Sequence, residues 1–92
     1  MAFAIVTVKI MPVSPEVDLE ALQKLAMEKI VAFAGEGDTK VSIEPIAFGL
    51  KALNIIFVMD EKKGSPDVVA DQINELEDVN SAEISDVRRA IG

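Results

Sequence analysis

The stretch Glu44-Pro45-Ile46-Ala47-Phe48-Gly49-Leu50-Lys51-Ala52-Leu53 places an apolar Phe-Gly corner between two strand-like runs. A connection that only reverses the chain usually carries Asn, Asp, Gly or Pro for their backbone geometry. Ile46 and Phe48 carry oily surface instead, which favours either a core or a partner. Two readings of Phe48 follow: a contact residue for another protein, or a hydrophobic plug tucked under the sheet. On the N-terminal side, Thr39 to Ile46 reads as a strand, and Pro45, which cannot donate to a ladder, favours a sheet edge. On the C-terminal side, Leu50 to Met59 reads as a central strand. Its Leu53, Ile55 and Phe57 share one face, Ala52, Asn54, Ile56 and Val58 share the other, and both faces are at least partly apolar.

Further out, Ala4, Val6, Val8 and Ile10 alternate with Thr7 and Lys9, the pattern of a half-buried strand. Met11-Pro12-Val13-Ser14-Pro15-Glu16 breaks it. Asp18 is placed to cap a helix whose inner face is Leu22, Leu25, Ala26, Ile30 and Phe33, and Gly35 and Gly37 end that helix. Asp60-Glu61-Lys62-Lys63-Gly64 reads as a solvated turn. Gly64-Ser65-Pro66-Asp67 then starts a second helix, with a capping Ser, Pro at the first helical position and an acid in the first turn. Val69, Ile73 and Leu76 form its buried stripe. A last strand carries Ala82 and Ile84 on one face and runs into Asp86-Val87-Arg88-Arg89.

The order is βαββαβ, which predicts an α+β, ferredoxin-like sandwich: a four-stranded antiparallel sheet with two right-handed crossovers placing both helices on one face. The opposite face, with Thr7, Lys9, Asn54, Ile56 and Val58, is left for solvent or a partner. Ninety-two residues, half of them hydrophobic, suit one domain spanning residues 1–92. The opening Met1-Ala2-Phe3-Ala4-Ile5-Val6 has no basic leader region and Lys9 interrupts the apolar run, so a cytoplasmic location is expected.

Composition removes most chemistry. With no Cys and no His, thiol catalysis, iron–sulfur clusters, zinc ribbons and the commonest general base are unavailable. The formal net charge of −7 opposes sequence-independent nucleic-acid binding, which needs cations to neutralise phosphates. That charge suits a basic protein surface or simply keeps a hydrophobic chain soluble. An RNA-recognition module would display stacking aromatics on its central strands, where this chain has Thr7, Lys9, Asn54, Ile56 and Val58. No catalytic arrangement emerges: Asp86, Arg88 and Arg89 read as a surface ladder with local ion pairs. Glu16, Asp18 and Glu20 read as helix N-terminal acids and not as metal ligands. No cofactor or metal is expected. A small regulatory ligand-binding domain of the same topology, dimeric and holding its ligand through backbone groups, stays open beside a protein-contact role.

Three stretches, the Glu44–Leu53 corner, Met11-Pro12-Val13-Ser14-Pro15 and Asp86-Val87-Arg88-Arg89, together resemble the archaeal elongation factor 1-beta family, and the resemblance runs over essentially the whole chain. It corresponds to the C-terminal guanine-nucleotide exchange domain of the longer eukaryotic proteins. The resemblance implies a factor that promotes exchange of GDP for GTP on elongation factor 1-alpha without covalent chemistry, by weakening the nucleotide and magnesium site of that GTPase. It matches Phe48 to the family's contact Phe, with Gly49 and Lys51 flanking the same surface. In eukaryotic relatives a Lys near the C-terminus approaches the magnesium site. Here the sequence reads Ala90-Ile91-Gly92 at its end, so the resemblance passes that role to Arg88 or Arg89.

Overall fold

The computed structural model describes residues 2–35 and 37–91. Four strands, β1 (Ala2–Pro12), β2 (Thr39–Pro45), β3 (Lys51–Asp60) and β4 (Val79–Ile91), and two helices, α1 (Leu19–Ala34) and α2 (Asp67–Asn74), follow the order βαββαβ. All pairings are antiparallel and the strands lie in the order β2-β3-β1-β4, the ferredoxin-like arrangement expected from the sequence. Pro45 lies on an edge strand and β3 is central, both as read.

The core forms where the even positions of β1 meet the odd positions of β3. Val6 pairs with Phe57, Val8 with Ile55 and Ile10 with Leu53, and all six are at most 1% exposed. Leu22, Ala26 and Ile30 from α1 and Val69 and Ile73 from α2 close over them. Each such fully buried aliphatic or aromatic side chain contributes about 1.5–3 kcal/mol relative to exposure. Leu25, expected on the inner face of α1, is 43% exposed. The four-residue spacing of Leu22, Ala26 and Ile30 centres the buried stripe, and at about 100° per residue Leu25 falls well to one side of it.

Both helix starts obey local chemistry. Asp18 Oδ1 accepts from the amides of Glu20 and Ala21 at 3.0 and 3.4 Å. Ser65 Oγ accepts from the Asp67 amide at 3.2 Å, and Pro66, at φ −66°, is already helical. Gly35 ends α1 at φ 83°, where a side chain would be strained.

β4 pairs with β1 through two register shifts, the first at Asn80, between the Pro12–Val79 and Met11–Ser81 pairs, and the second farther along. Ala82 faces Ile10 and Ile84 faces Val8; then the register shifts, and Asp86 faces Thr7, Val87 faces Val6, Arg88 faces Ile5 and Arg89 faces Ala4. Ser85 is the extra residue of this bulge, and its hydroxyl donates to the Thr7 carbonyl at 3.4 Å. One inserted residue inverts the parity of everything after it. Strict alternation from Ala82 and Ile84 would aim Asp86 and Arg88 at the helices. The bulge sends those two to the open face and leaves Val87 and Arg89 on the helix side.

The outer edge of β4 is partly sealed by a residue that sequence reading did not single out. Asn74, the last residue of α2, donates through Nδ2 to the carbonyls of Ala82 (2.8 Å) and Ala70 (3.1 Å), and its Oδ1 accepts from the Ala82 amide at 2.8 Å. One side-chain amide thus stands in for a neighbouring strand. Asn74→Ala removes all three bonds, and stability should fall by about 1–2 kcal/mol in denaturant unfolding; no change would mean that water replaces the amide without loss.

Candidate functional site

The corner between β2 and β3 is a tight turn. Ile46 N–H donates to the Leu50 carbonyl at 2.7 Å and Leu50 N–H to the Ala47 carbonyl at 3.3 Å, extending the ladder past the Pro45–Lys51 pair. Between them Phe48 and Gly49 both take positive φ, 63° and 77°. Two central residues of positive φ are what a type I′ turn over Ala47–Leu50 requires, and Asn-Gly supplies them at ease. Phe does not: the left-handed conformation of an ordinary L-residue costs about 1–2 kcal/mol. Phe48 is the only non-glycine with positive φ among the described residues, and it is 95% exposed. It is not a plug under the sheet. The fold holds a bare aromatic ring in water on a strained backbone.

Gly49 and Lys51 face a cleft of about 420 Å³ whose other wall is the β1–α1 loop, with Pro12, Pro15, Val17 and the capping Asp18. Glu20 lines it too, so Lys51 shares this end of the molecule with two acids from the start of α1.

Arg88 and Arg89 lie elsewhere. Arg88 is level, through Ile5, with Val58, seven residues along β3 from Lys51; at 3.3 Å per residue that is roughly 23 Å. The five residues singled out from the sequence therefore form two groups, separated by much of the length of the central strands. The two arginines also occupy opposite faces. Arg88, on the open face, donates from Nε to Asp86 Oδ2 at 2.9 Å, the local pair expected along this strand. Arg89, on the helix side, reaches a residue 28 positions away: its Nε and Nη2 donate to Glu61 Oε2 and Oε1 at 2.7 and 2.8 Å. Asp60–Gly64 is thus not merely a solvated turn. The Glu61 contact was missed because it depends on register: Phe3 pairs with Asp60 on one side and with Ala90 on the other, which brings the end of β3 and the end of β4 to the same margin of β1. The expectation drawn from the Ala90-Ile91-Gly92 ending falls on Gly92, outside the described residues.

The open sheet face carries a cross-strand polar cluster. Lys9 Nζ lies 3.8 Å from Glu44 Oε1, which also accepts from Asn54 Nδ2 at 3.2 Å. Beside it, Ile56 is half-buried and Val58 is 37% exposed.

The bonds from Arg89, followed by its charge, hold the Glu61 carboxyl below the ordinary glutamate range, and Glu61 in turn raises Arg89. A lowered folded pKa means that the pair's contribution is full above the unfolded pKa of Glu61 and is lost as pH falls through the folded value. An NMR titration should place the Glu61 midpoint below its value in Arg89→Gln. At the corner, Phe48→Asn relieves the strain and removes no buried surface. It should stabilise by about 1 kcal/mol, a rise of roughly 4–8 °C in midpoint, whereas a comparable fall would mean that the ring packs on the protein.

The profile of a known family, described as the EF-1 guanine nucleotide exchange domain, matches residues 5–90. The chain is 42% identical over 89 residues to the elongation factor 1-beta of Methanothermobacter thermautotrophicus, covering 97% of this chain and 98% of that protein. To the elongation factor 1-beta of Methanobrevibacter smithii it is 45% identical over 89 residues, with the same coverage of each. To that of Methanosphaera stadtmanae it is 41% identical over 81 residues, 88% of this chain and 89% of that protein. A match of this extent, running from Ile5 in β1 through the two arginines of β4, makes the chain a member of the EF-1 guanine nucleotide exchange domain family.

Proposed function

We infer that this chain, acting as a single domain in the cytoplasm, promotes exchange of GDP for GTP on elongation factor 1-alpha. The exposed, strained Phe48 is the observation that carries the reading. Folding gains nothing from an aromatic ring left in water on a left-handed backbone, so the gain lies in a partner. There the ring would fill an apolar recess as a binding hot spot.

The reading needs no covalent chemistry. A factor that binds the empty GTPase more tightly than its GDP form must weaken GDP by the same ratio, and roughly 3 kcal/mol of coupling corresponds to about a 150-fold change in affinity. Two contact groups roughly 23 Å apart suit this task, because they could grip two parts of a GTPase and favour the relative arrangement found when the site is empty. Phe48, Gly49 and Lys51 would dock one end. Arg88 or Arg89 would bring a cation toward the magnesium and phosphate site, where it competes with the metal that holds the nucleotide.

The test is release of fluorescent GDP from elongation factor 1-alpha of the same organism under excess unlabelled nucleotide. Catalytic acceleration is expected, and binding without acceleration would reduce this chain to a bridging module. Phe48→Ala should lower the exchange rate while leaving the thermal midpoint nearly unchanged. Charge reversal at both Arg88 and Arg89 should also slow exchange; a full rate in that variant would remove both from the mechanism.

A further inference from the structure

Of the two candidate cations, the fold fixes the direction of only one. Both side chains are largely exposed, 76% for Arg88 and 69% for Arg89, and the difference lies in their bonds: Arg88 is joined by a single bond to Asp86, two residues away on its own strand. Arg89 is joined by two bonds to Glu61, which belongs to a different part of the chain. Glu61 itself opens a short 3-10 turn, Glu61–Lys63. Asp60 Oδ1 caps that turn by accepting from the Lys62 amide at 2.9 Å, and it ends at Gly64, φ 98°. Beneath the pair lies a groove of about 190 Å³ formed with Ala4, Met59, Pro66 and Val87, nearly all of it apolar.

The atoms used matter. Glu61 takes the side edge of the guanidinium, Nε and Nη2, and leaves the end edge, Nη1 with the second hydrogen of Nη2, uncommitted by that contact. A guanidinium has edges enough for two oxyanions at once, and a carboxylate on the first edge fixes the plane in which the second is offered.

We propose that Glu61 is a positioning residue for nucleotide exchange: by holding the Nε–Nη2 edge of Arg89 it presents the Nη1–Nη2 edge to an oxyanion of the GTPase complex. The proposal rests on the exchange reading above and narrows it, since Arg89 is then the oriented cation and Arg88 a loosely tethered charge on the other face. The carboxylates that orient metal-binding side chains set the scale by analogy: their loss typically costs about 10- to 100-fold in affinity or activity.

The experiment is GDP release from elongation factor 1-alpha titrated with wild type, Glu61→Gln, Glu61→Asp, Arg89→Gln, Arg89→Lys and the double variant Glu61→Gln/Arg89→Gln. The maximal rate and the half-saturating concentration are read separately, and melting of each variant is recorded. Glu61→Gln should lose about tenfold in maximal rate, with Glu61→Asp recovering part of it. The double variant should be no slower than Arg89→Gln alone, because Glu61 acts only through Arg89. Arg89→Lys, which keeps the charge but has no second edge, should resemble Arg89→Gln. If the oxyanion is a nucleotide phosphate, Arg89→Gln binds the nucleotide-free GTPase as tightly as wild type does; if it is a carboxylate of the GTPase, that binding weakens as well. A wild-type rate in Glu61→Gln, or in Arg89→Lys, overturns the proposal. A wild-type chain that fails to accelerate release overturns the exchange reading itself, which is a distinct result.

Discussion

Strand β1 is flanked on both sides for nearly its whole length, and its two registers set the position of almost everything else. Pairing with β3 brings Val6, Val8 and Ile10 against Phe57, Ile55 and Leu53, the surface on which both helices condense. Pairing with β4 places Val79 to Ile84 on one side of a bulge and Asp86 to Arg89 on the other. A slip of one residue in either ladder would carry the buried set to the open face, so the apolar alternation of β1 holds both registers in place. The candidate contact groups inherit their separation from the same ladder: one extends from the start of β3, the other from the end of β4.

Much of this was legible in the residues. The alternation in β1, the doubly apolar pattern of β3, the edge-favouring Pro45 and the Asp18 and Ser65 caps are local signals, and each corresponds to an element that formed. Phe48 could be singled out from its turn but not assigned, because a sequence does not record whether an apolar corner folds inward. The structure turns it outward. Leu25 was misplaced because an apolar residue three positions from a core residue looks internal until the helix axis is known. The Asn74 clasp and the Glu61–Arg89 pair were invisible for a different reason. Both join residues whose proximity exists only once strands are in register, and neither Asn nor Glu in a polar turn differs in kind from a solvated one.

Membership of an exchange-domain family goes with a chain that has no His and no Cys and whose notable features are exposed. Work of this kind is done by differences in affinity between states of a partner, so the working parts are shape and charge held in fixed positions. On the function proposed above, that would account for where the molecule departs from what folding alone would favour. A bare ring sits on a left-handed backbone in one group, and in the other an arginine is held by a carboxylate across a gap in the sequence.

The bulge at Ser85 also governs how the end of this chain can be compared with its relatives. Beyond it, the two faces of β4 are read out of phase with the first half, so counting residues back from a C-terminus does not identify equivalent cations. Two homologues with a basic residue at the same count display it on opposite sides if one has the extra residue and the other lacks it. Equivalence at this end is a matter of phase relative to the insertion. A single-residue gap in an alignment there would exchange the roles of neighbouring side chains without altering either one.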